Sequence, residues 1–467
     1  MTSTPIRHAG QPIGAASDTK HRLVPRFALL ALPACTALNG LSASSITAAL
    51  PALDAELDTT GWVLPGFFAG AAIAAVASGR LADLLGARRV AAAGVLLVVL
   101  SSLAATLATS GPGLAAARTV LGMGTAALFP AALVILRQLG LPAPRQLAAL
   151  GTLALATEAA FAAGPALGAL LVDLGGWRLA VAAPIPPALL AAILLRTAVP
   201  ADPAAPRRLR IVAGRLDLPG LALLAVAACS ALLWLQAPNR TWLPLAAAVV
   251  LLGAFAVWER RSRHPVLPAA VLTRPLTVVF GRVVLYYGGL YGLVLALPAW
   301  LTTTRQLAPG AAAAVMAGLP VTAILACLLT PPLIARHGPR LALVLGSVAL
   351  GSAAGICVLA DSRTPTAVLV LAVCLAGFPA GLVNIAQQET LVRAAPQKFT
   401  GTCSGIYGLL QLLTGAAVGG LPIRLHSLGW IALAMAIGLV LLAAADAHPT
   451  ATTPALGSST RTDGDRG

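Results

Sequence analysis

Apolar runs of about twenty residues alternate with short polar turns over most of this chain. Fourteen runs stand out, near 26–48, 61–80, 90–109, 113–136, 147–172, 179–197, 218–236, 242–258, 277–300, 311–335, 341–360, 366–388, 401–423 and 428–445. Runs of about 20 residues can cross a bilayer core of roughly 30 Å as helices. They are far too long for barrel strands, and lipid cannot satisfy exposed backbone groups, so each run predicts a helix. The pattern therefore predicts an all-α integral membrane protein with fourteen transmembrane helices. Residues 1–25 are polar and lack an apolar core of signal-peptide type. Residues 446–467 are rich in Thr, Ser, Gly and Asp, and both ends are expected to be disordered.

Composition agrees. The chain is 58% hydrophobic and 10% charged, with a mean hydropathy of +0.89, which excludes a soluble globular protein of this size. A net charge of +16 suggests nucleic acid, but the basic residues fall in alternate loops and form no contiguous patch. With the N-terminus placed inside, the termini and even-numbered turns carry 24 Arg or Lys residues. The other loops hold 5, namely Arg178, Arg240, Arg305, Arg363 and Arg424. The positive-inside rule then makes both termini cytoplasmic, with no nucleic-acid partner. Only Lys20 and Lys398 are lysines among 31 basic residues. With the excess of Ala, that bias suggests a GC-rich bacterial genome and a place in the bacterial inner (plasma) membrane.

The chain also repeats itself. Gly86 and Arg88 correspond to Gly338 and Arg340, Phe129-Pro130-Ala131 to Phe378-Pro379-Ala380, and Ala143-Pro144 to Ala395-Pro396. The spacing implies a duplicated six-helix unit, residues 26–197 and 277–445. Between them, residues 198–276 hold a cytoplasmic linker and two extra helices. Parallel repeats of this kind build transporters that rock about a midplane site.

The turn between the second and third runs, Gly79-Arg80-Leu81-Ala82-Asp83-Leu84-Leu85-Gly86-Ala87-Arg88-Arg89, carries the most information. Its glycines permit a tight turn and close helix approach. Arg88 and Arg89 hold it on the cytoplasmic side, and Asp83 can grip a neighbouring helix end or basic group as a latch. The spacing G-x-L-A-D-x-x-G-x-R-R resembles the signature loop between helices 2 and 3 of the major facilitator superfamily. The 6+2+6 arrangement resembles that family's fourteen-helix drug:proton antiporter branch. Leu41 to Pro51 resembles the branch's first-helix motif. Leu114, Arg118, Gly122, Gly124 and Ala126 resemble its Arg-containing motif, with Leu121 in place of the usual Gln. Gly164-Pro165 with Gly168 resembles the motif that distinguishes exporters from importers. In the second repeat the latch has decayed, with Ala335 at the Asp83 position and Pro331 at the Gly79 position.

The resemblance implies a secondary active exporter of a small, mostly hydrophobic compound such as a drug, antibiotic or natural product. It would work by proton antiport and alternating access, as a monomer, with no cofactor beyond the proton motive force. Its partners would be that substrate, protons and the lipid bilayer. One departure bears on mechanism: many members carry an Asp where this chain has Ser42. That leaves room for the alternative of an uptake permease or facilitator for a small metabolite.

Candidate residues follow from charge and spacing. Glu158 is the carboxylate in the middle of a span, about 16 Å from its end at a rise of ~1.5 Å per residue. Intramembrane acids usually face the bundle interior and serve function, although a protonated Glu can also serve packing alone. Arg118 is either a proton-coupling residue, as the resemblance implies, or an arginine snorkelling to the headgroups. Asn384, Gln387 and Gln388 share one helix face and need polar partners or a cavity. Tyr286, Tyr287, Tyr291 and Gln411 are further pathway candidates, with ordinary packing as the other reading for the tyrosines. Gly164-Pro165 reads as a hinge or as a packing contact. Trp62, Trp242 and Trp300, at span ends, read as interface anchors. The chain shows no Walker loop, no Cys-x-x-Cys pair, no histidine within a span and no nucleophile–base constellation. An ATP-driven pump, a metal site and an enzyme are not expected.

Overall fold

The computed structural model describes residues 15–57, 60–202, 216–236, 242–419, 421 and 424–445. Residues 1–14 and 446–467, part of the expected disordered ends, lie outside the described residues, as do 203–215 of the linker. Regular structure among the described residues is helical throughout; seventeen α-helices follow the fourteen expected passes, and eleven helical segments among the described residues are long and apolar enough to cross a membrane.

The first pass is α1 (Ala15–Ser44), which begins ahead of residue 26 and runs through a 3-10 turn (Ser45–Ala49) into α2 (Leu50–Leu57). α3 (Thr60–Leu85) and α4 (Ala87–Thr106) follow. The fourth pass is split into α5 (Gly111–Ala126) and α6 (Leu128–Gln138). Proline explains the split. Pro130 has no N–H to offer the carbonyl of Ala126, and the Ser78 hydroxyl donates to that carbonyl instead, at 3.4 Å.

α7 (Ala143–Ala182) holds all of the fifth pass and the start of the sixth, which α8 (Ile185–Ala198) completes. Within α7 the non-helical residues are Gly175 and Gly176. The helix therefore breaks between the two passes, and its backbone stays helical through Gly164-Pro165.

The extra pair is α9 (Leu218–Gln236) and α10 (Trp242–Arg261). The second repeat comprises α11 (Arg274–Thr303), a tenth pass split into α12 (Pro309–Met316) and α13 (Gly318–His337), α14 (Pro339–Leu359), α15 (Thr366–Ala394), α16 (Thr400–Gly419) and α17 (Leu425–Ala445). The tenth pass splits just ahead of Pro320, as the fourth does ahead of Pro130.

Within the first repeat, α1 packs on α7 and α3 on α5; within the second, α13 and α14 pack on α15, and α17 on α11 and α14. The repeats meet through α3 against α16 and α7 against α13, with α6 and α15 adding to the seam. α9 lies against both α3 and α16.

Large apolar side chains such as Leu174, Leu243, Val250, Leu359 and Leu441 remain exposed along these helices. An outer surface of this kind matches hydrocarbon rather than water. Trp242 is exposed on such a helix end, but Trp300 is buried, 8% exposed, and is a core residue rather than an interface anchor. All six cysteines are unpaired.

A candidate transport pathway and its latch

Gly79 brings α3 against α16. A Cβ at Gly79 would lie 2.1 Å from the carbonyl oxygen of Gly401, and one at Gly401 would lie 2.2 Å from the oxygen of Gly79. Only at this separation can Asp83 reach the first turn of α16. Its carboxylate accepts from the N–H of Gly401 (2.8 Å), the N–H of Thr402 (2.7 Å) and the Thr402 hydroxyl (2.8 Å). The first N–H groups of a helix have no intrahelical acceptors and carry the positive end of its dipole, so an anion belongs there. The latch grips a helix end. One turn away, Arg137 on α6 donates to the carbonyl of Ala395 (2.6 Å) and to the Thr400 hydroxyl (2.7 Å), fastening the same corner.

Gly86 ends α3 with a φ of 106°. That conformation favours glycine, and a Cβ there would meet the Asp202 carboxyl carbon at 2.2 Å. Asp202 accepts from the N–H groups of Arg88 (3.2 Å) and Arg89 (2.8 Å), capping α4 as Asp83 caps α16. The Arg88 guanidinium donates to the Arg196 carbonyl and that of Arg89 to the Leu85 carbonyl.

Midway along the passes, the amides of α15 join a tyrosine. The Tyr407 hydroxyl donates to Asn384 Oδ1 (2.7 Å) and approaches Gln387 Oε1 (3.3 Å), and Gln388 Nε2 donates to Asn384 Oδ1 (2.9 Å). Around this knot, Tyr286 and Tyr287 have ring centroids 4.5 Å apart, Tyr287 and Tyr291 stack at 5.6 Å, and Tyr287 meets Tyr407 edge-on at 6.4 Å. Tyr291 also shares a hydrogen bond with Gln411. Phe129, from the first repeat, lies 6.0 Å from Tyr407.

Glu158 enters from α7, within electrostatic reach of Tyr286, Tyr287, Tyr291 and Cys327 of the other repeat. Glu158, Tyr291 and Gln411 keep partial exposure although they are far from both helix ends, whereas Tyr286 and Tyr407 are each 1% exposed. A carboxylate of the first repeat thus lies near the tyrosines of the second. Gln387 Nε2 and Gln388 Oε1 are buried without a protein partner and so have hydrogen-bonding capacity to spare.

Arg118 does not snorkel. It is 2% exposed, both terminal nitrogens donate to the Ser42 carbonyl at 3.0 Å, and the Phe67 ring lies 4.9 Å from the guanidinium carbon. Ser42, at the position where an Asp is expected, is thus beside the buried cation, and its hydroxyl is buried without a partner. No carboxylate pairs with Arg118 among the described residues, Glu158 included. Gly164 and Gly168 are contact residues here. A Cβ at either would lie about 2 Å from Ser44 Oγ (1.9 Å) or the Ser45 carbonyl oxygen (2.0 Å), where the first pass turns 3-10.

Several buried polar residues are not singled out by the sequence pattern. Tyr407 is detectable as the residue four before Gln411 on the same helix face. Arg282 is a further buried cation, 1% exposed, donating to the Leu442 carbonyl at 2.7 Å; a single Arg near the start of an apolar run was the available signal. Glu389, 2% exposed, is a buried acid near the end of α15 and pairs with Arg393. No group of three or more His, Cys, Asp or Glu residues fit to hold a metal occurs among the described residues.

A family model described as Major Facilitator Superfamily matches residues 34–420. A cephamycin export protein of Amycolatopsis lactamdurans is 32% identical over 91% of this chain and 92% of its own length. A lincomycin resistance protein of Streptomyces lincolnensis is 30% identical over 86% and 85%. A multidrug resistance protein of Mycobacterium tuberculosis is 28% identical over 81% and 71%. Among solved structures, a proton:xylose symporter superposes with a TM-score of 0.67 at 15% identity, over 90% of this chain and 95% of that one. At that identity the likeness concerns the fold.

Proposed function

The chain belongs to the Major Facilitator Superfamily, a family of multi-pass transporters of small molecules, and from that membership we propose that it exports a small, mostly hydrophobic compound in exchange for protons. The observation that carries the reading is the knot of Tyr407, Asn384, Gln387 and Gln388 beside the Tyr286, Tyr287 and Tyr291 rings, with Glu158 of the other repeat near enough to act electrostatically on those three tyrosines. Aromatic faces and amides with spare hydrogen bonds suit a mostly apolar ligand with a few polar groups. Export is favoured over uptake by the relatives, whose names describe resistance and export.

Both termini and the Arg-rich turns are placed in the cytoplasm by the positive-inside rule. On that orientation the Asp83 latch closes the cytoplasmic side. Opening requires α3 and α16 to part while the outer ends of the repeats come together. Glu158 is the titrating group of the pathway. Protonation from outside neutralises it and permits the switch, and loss of the proton to the cytoplasm readies the site for substrate. Arg118, held on Ser42, links the first pass to the fourth during that movement.

The test uses inverted membrane vesicles with an imposed pH gradient and four probes: lincomycin, puromycin, tetracenomycin C and a cephamycin. Gradient-dependent accumulation of at least one probe, abolished by a protonophore and by Glu158→Gln, is expected. Accumulation that persists in Glu158→Gln would sink the role of Glu158. Transport of a metabolite into right-side-out vesicles, with no probe exported, would establish the uptake alternative.

A further inference from the structure

Arg80 is between the two latch residues Gly79 and Asp83, and it does not face the partner repeat's helix end. It is 8% exposed, and its guanidinium donates to three consecutive carbonyls of the loop after α10: His264 (2.9 Å), Pro265 (2.5 Å) and Val266 (3.2 Å). Three carbonyls converge on one cation only if the loop is held in a particular turn, and two acids of the extra helix pair hold it. Glu259, in the last turn of α10, accepts from the N–H groups of Val266 (2.6 Å) and Leu267 (3.2 Å). Asp217, just before α9, accepts from the indole N–H of Trp258 (2.7 Å), the Ser262 hydroxyl (3.0 Å) and the N–H of Gly220 (3.3 Å). Ser262 in turn accepts from the N–H of His264 at 3.3 Å. Val266 is fully buried against Gly220, where a Cβ would lie 2.9 Å from its side chain.

Both carboxylates also act on the Arg80 guanidinium through space, as does Asp83. The charges therefore form one connected set, from α16 through the latch to the extra helices. α9 touches α3 and α16 together, so the hairpin straddles the seam that must part during transport.

We propose that Asp217 and Glu259 are positioning residues for transport: they shape the 264–266 carbonyl turn that holds Arg80, and through Arg80 they keep α3 in place for the Asp83 latch. The extra helix pair is then a second fastening of the closed Arg-rich end. This rests on the alternating-access reading above, and its test needs neither substrate nor proton gradient.

Cys403 is a native reporter. It is 0% exposed, one residue beyond Thr402 at the latch, and Cys357, 1% exposed inside the second repeat, is an internal control. The full-length protein in nanodiscs is treated with a maleimide, and labelling of each cysteine is followed by peptide mass spectrometry. Loss of one charged hydrogen-bonding group should raise Cys403 labelling roughly tenfold in Arg80→Ala and about threefold to tenfold in Glu259→Gln or Asp217→Asn, with Cys357 still protected. Arg80→Ala combined with Glu259→Gln should label no faster than Arg80→Ala alone, because Glu259 acts through Arg80. Independent, additive effects would overturn the proposal, as would unchanged Cys403 labelling in the single variants. If Arg80→Ala also exposes Cys357, the milder Glu259→Gln and Asp217→Asn variants decide alone. Lost transport with unchanged labelling would remove the fastening while leaving the exporter reading intact.

Discussion

The two related turns of the repeats differ in what they do with the same geometry. In each, a helix ends in a glycine with positive φ, Gly86 at 106° and Gly338 at 79°, and the next helix starts at once. In each, the preceding helix crosses a helix of the other repeat, α3 on α16 and α13 on α7. The first crossing is glycine on glycine, backbone to backbone, and delivers Asp83 to a helix N-terminus. In the second crossing Pro331 rests on Gly151, a Cβ there would meet the proline ring at 2.5 Å, and Ala335 has nothing to offer a helix end. Around Gly86 the Asp202 carboxylate caps α4, whereas nothing lies within 4 Å of a Cβ placed on Gly338. The fold keeps the turn in both copies and the electrostatic latch in one. The seam therefore has a hydrogen-bonded fastening at one crossing and a steric contact at the other.

Steric change at the crossings should show the contrast most strongly. Gly401→Ala places a Cβ 2.2 Å from a backbone oxygen that cannot step aside, so near-complete loss of export from vesicles is expected. Gly151→Ala meets the edge of a proline ring, and a loss of only a fewfold is expected. Equal losses would mean the two crossings share the load.

Charge comes next. Asp83→Asn keeps the volume of the side chain and removes its charge at the α16 N-terminus, an interaction of about 1–2 kcal/mol when partly buried. Closure of the Arg-rich end should weaken by roughly fivefold to thirtyfold, with protein levels near normal. Cys403 labelling and vesicle efflux measured together check this, and wild-type values for both would make the latch decorative.

The glycines of the turns separate backbone strain from crowding. Gly338→Ala should lower thermal stability by the cost of holding an alanine at φ 79° and ψ 168°, a region adopted almost only by glycine, about 1–3 kcal/mol. Gly86→Ala adds a collision with Asp202 and should lower it further. A larger loss at Gly338 would contradict the role given to Asp202.

The smallest effect is expected from Ala335→Asp, which restores an acid to the decayed turn without the close glycine crossing that Asp83 depends on. Export should stay within about twofold of wild type, the usual range for a surface substitution. A strong gain in closure, read as slower Cys403 labelling, would show that the acid alone makes a latch.

The sequence by itself determined the helices, because a membrane crossing needs only length and apolar content. It also led to the expectation of a duplication, from shared landmarks around Gly86 and Gly338, and singled out Asp83 through the resemblance of its turn to a family signature. The shared face of Asn384, Gln387 and Gln388 followed from spacing on one helix, and the isolated acid Glu158 from its neighbours in the run.

What those residues meet was decided by tertiary structure. The Asp83 carboxylate finds backbone N–H groups 318 and 319 residues away, and the acceptor is a helix end that carries no side-chain signature. The Arg88 and Arg89 N–H groups that Asp202 caps and the 264–266 carbonyls are equally silent in a sequence, since a backbone group reads the same in every residue. Arg118 could be a headgroup anchor or a buried cation by depth alone, and only the Ser42 carbonyl at 3.0 Å settles that it points inward. Gly164 and Gly168 stay helical and pack on the first pass, a distinction that depends on where α1 turns 3-10. Hydrophobic periodicity records which residues avoid water, whereas the latch and the pathway depend on which side chains and backbone groups of distant helices come within hydrogen-bonding distance, and that is a property of the assembled bundle.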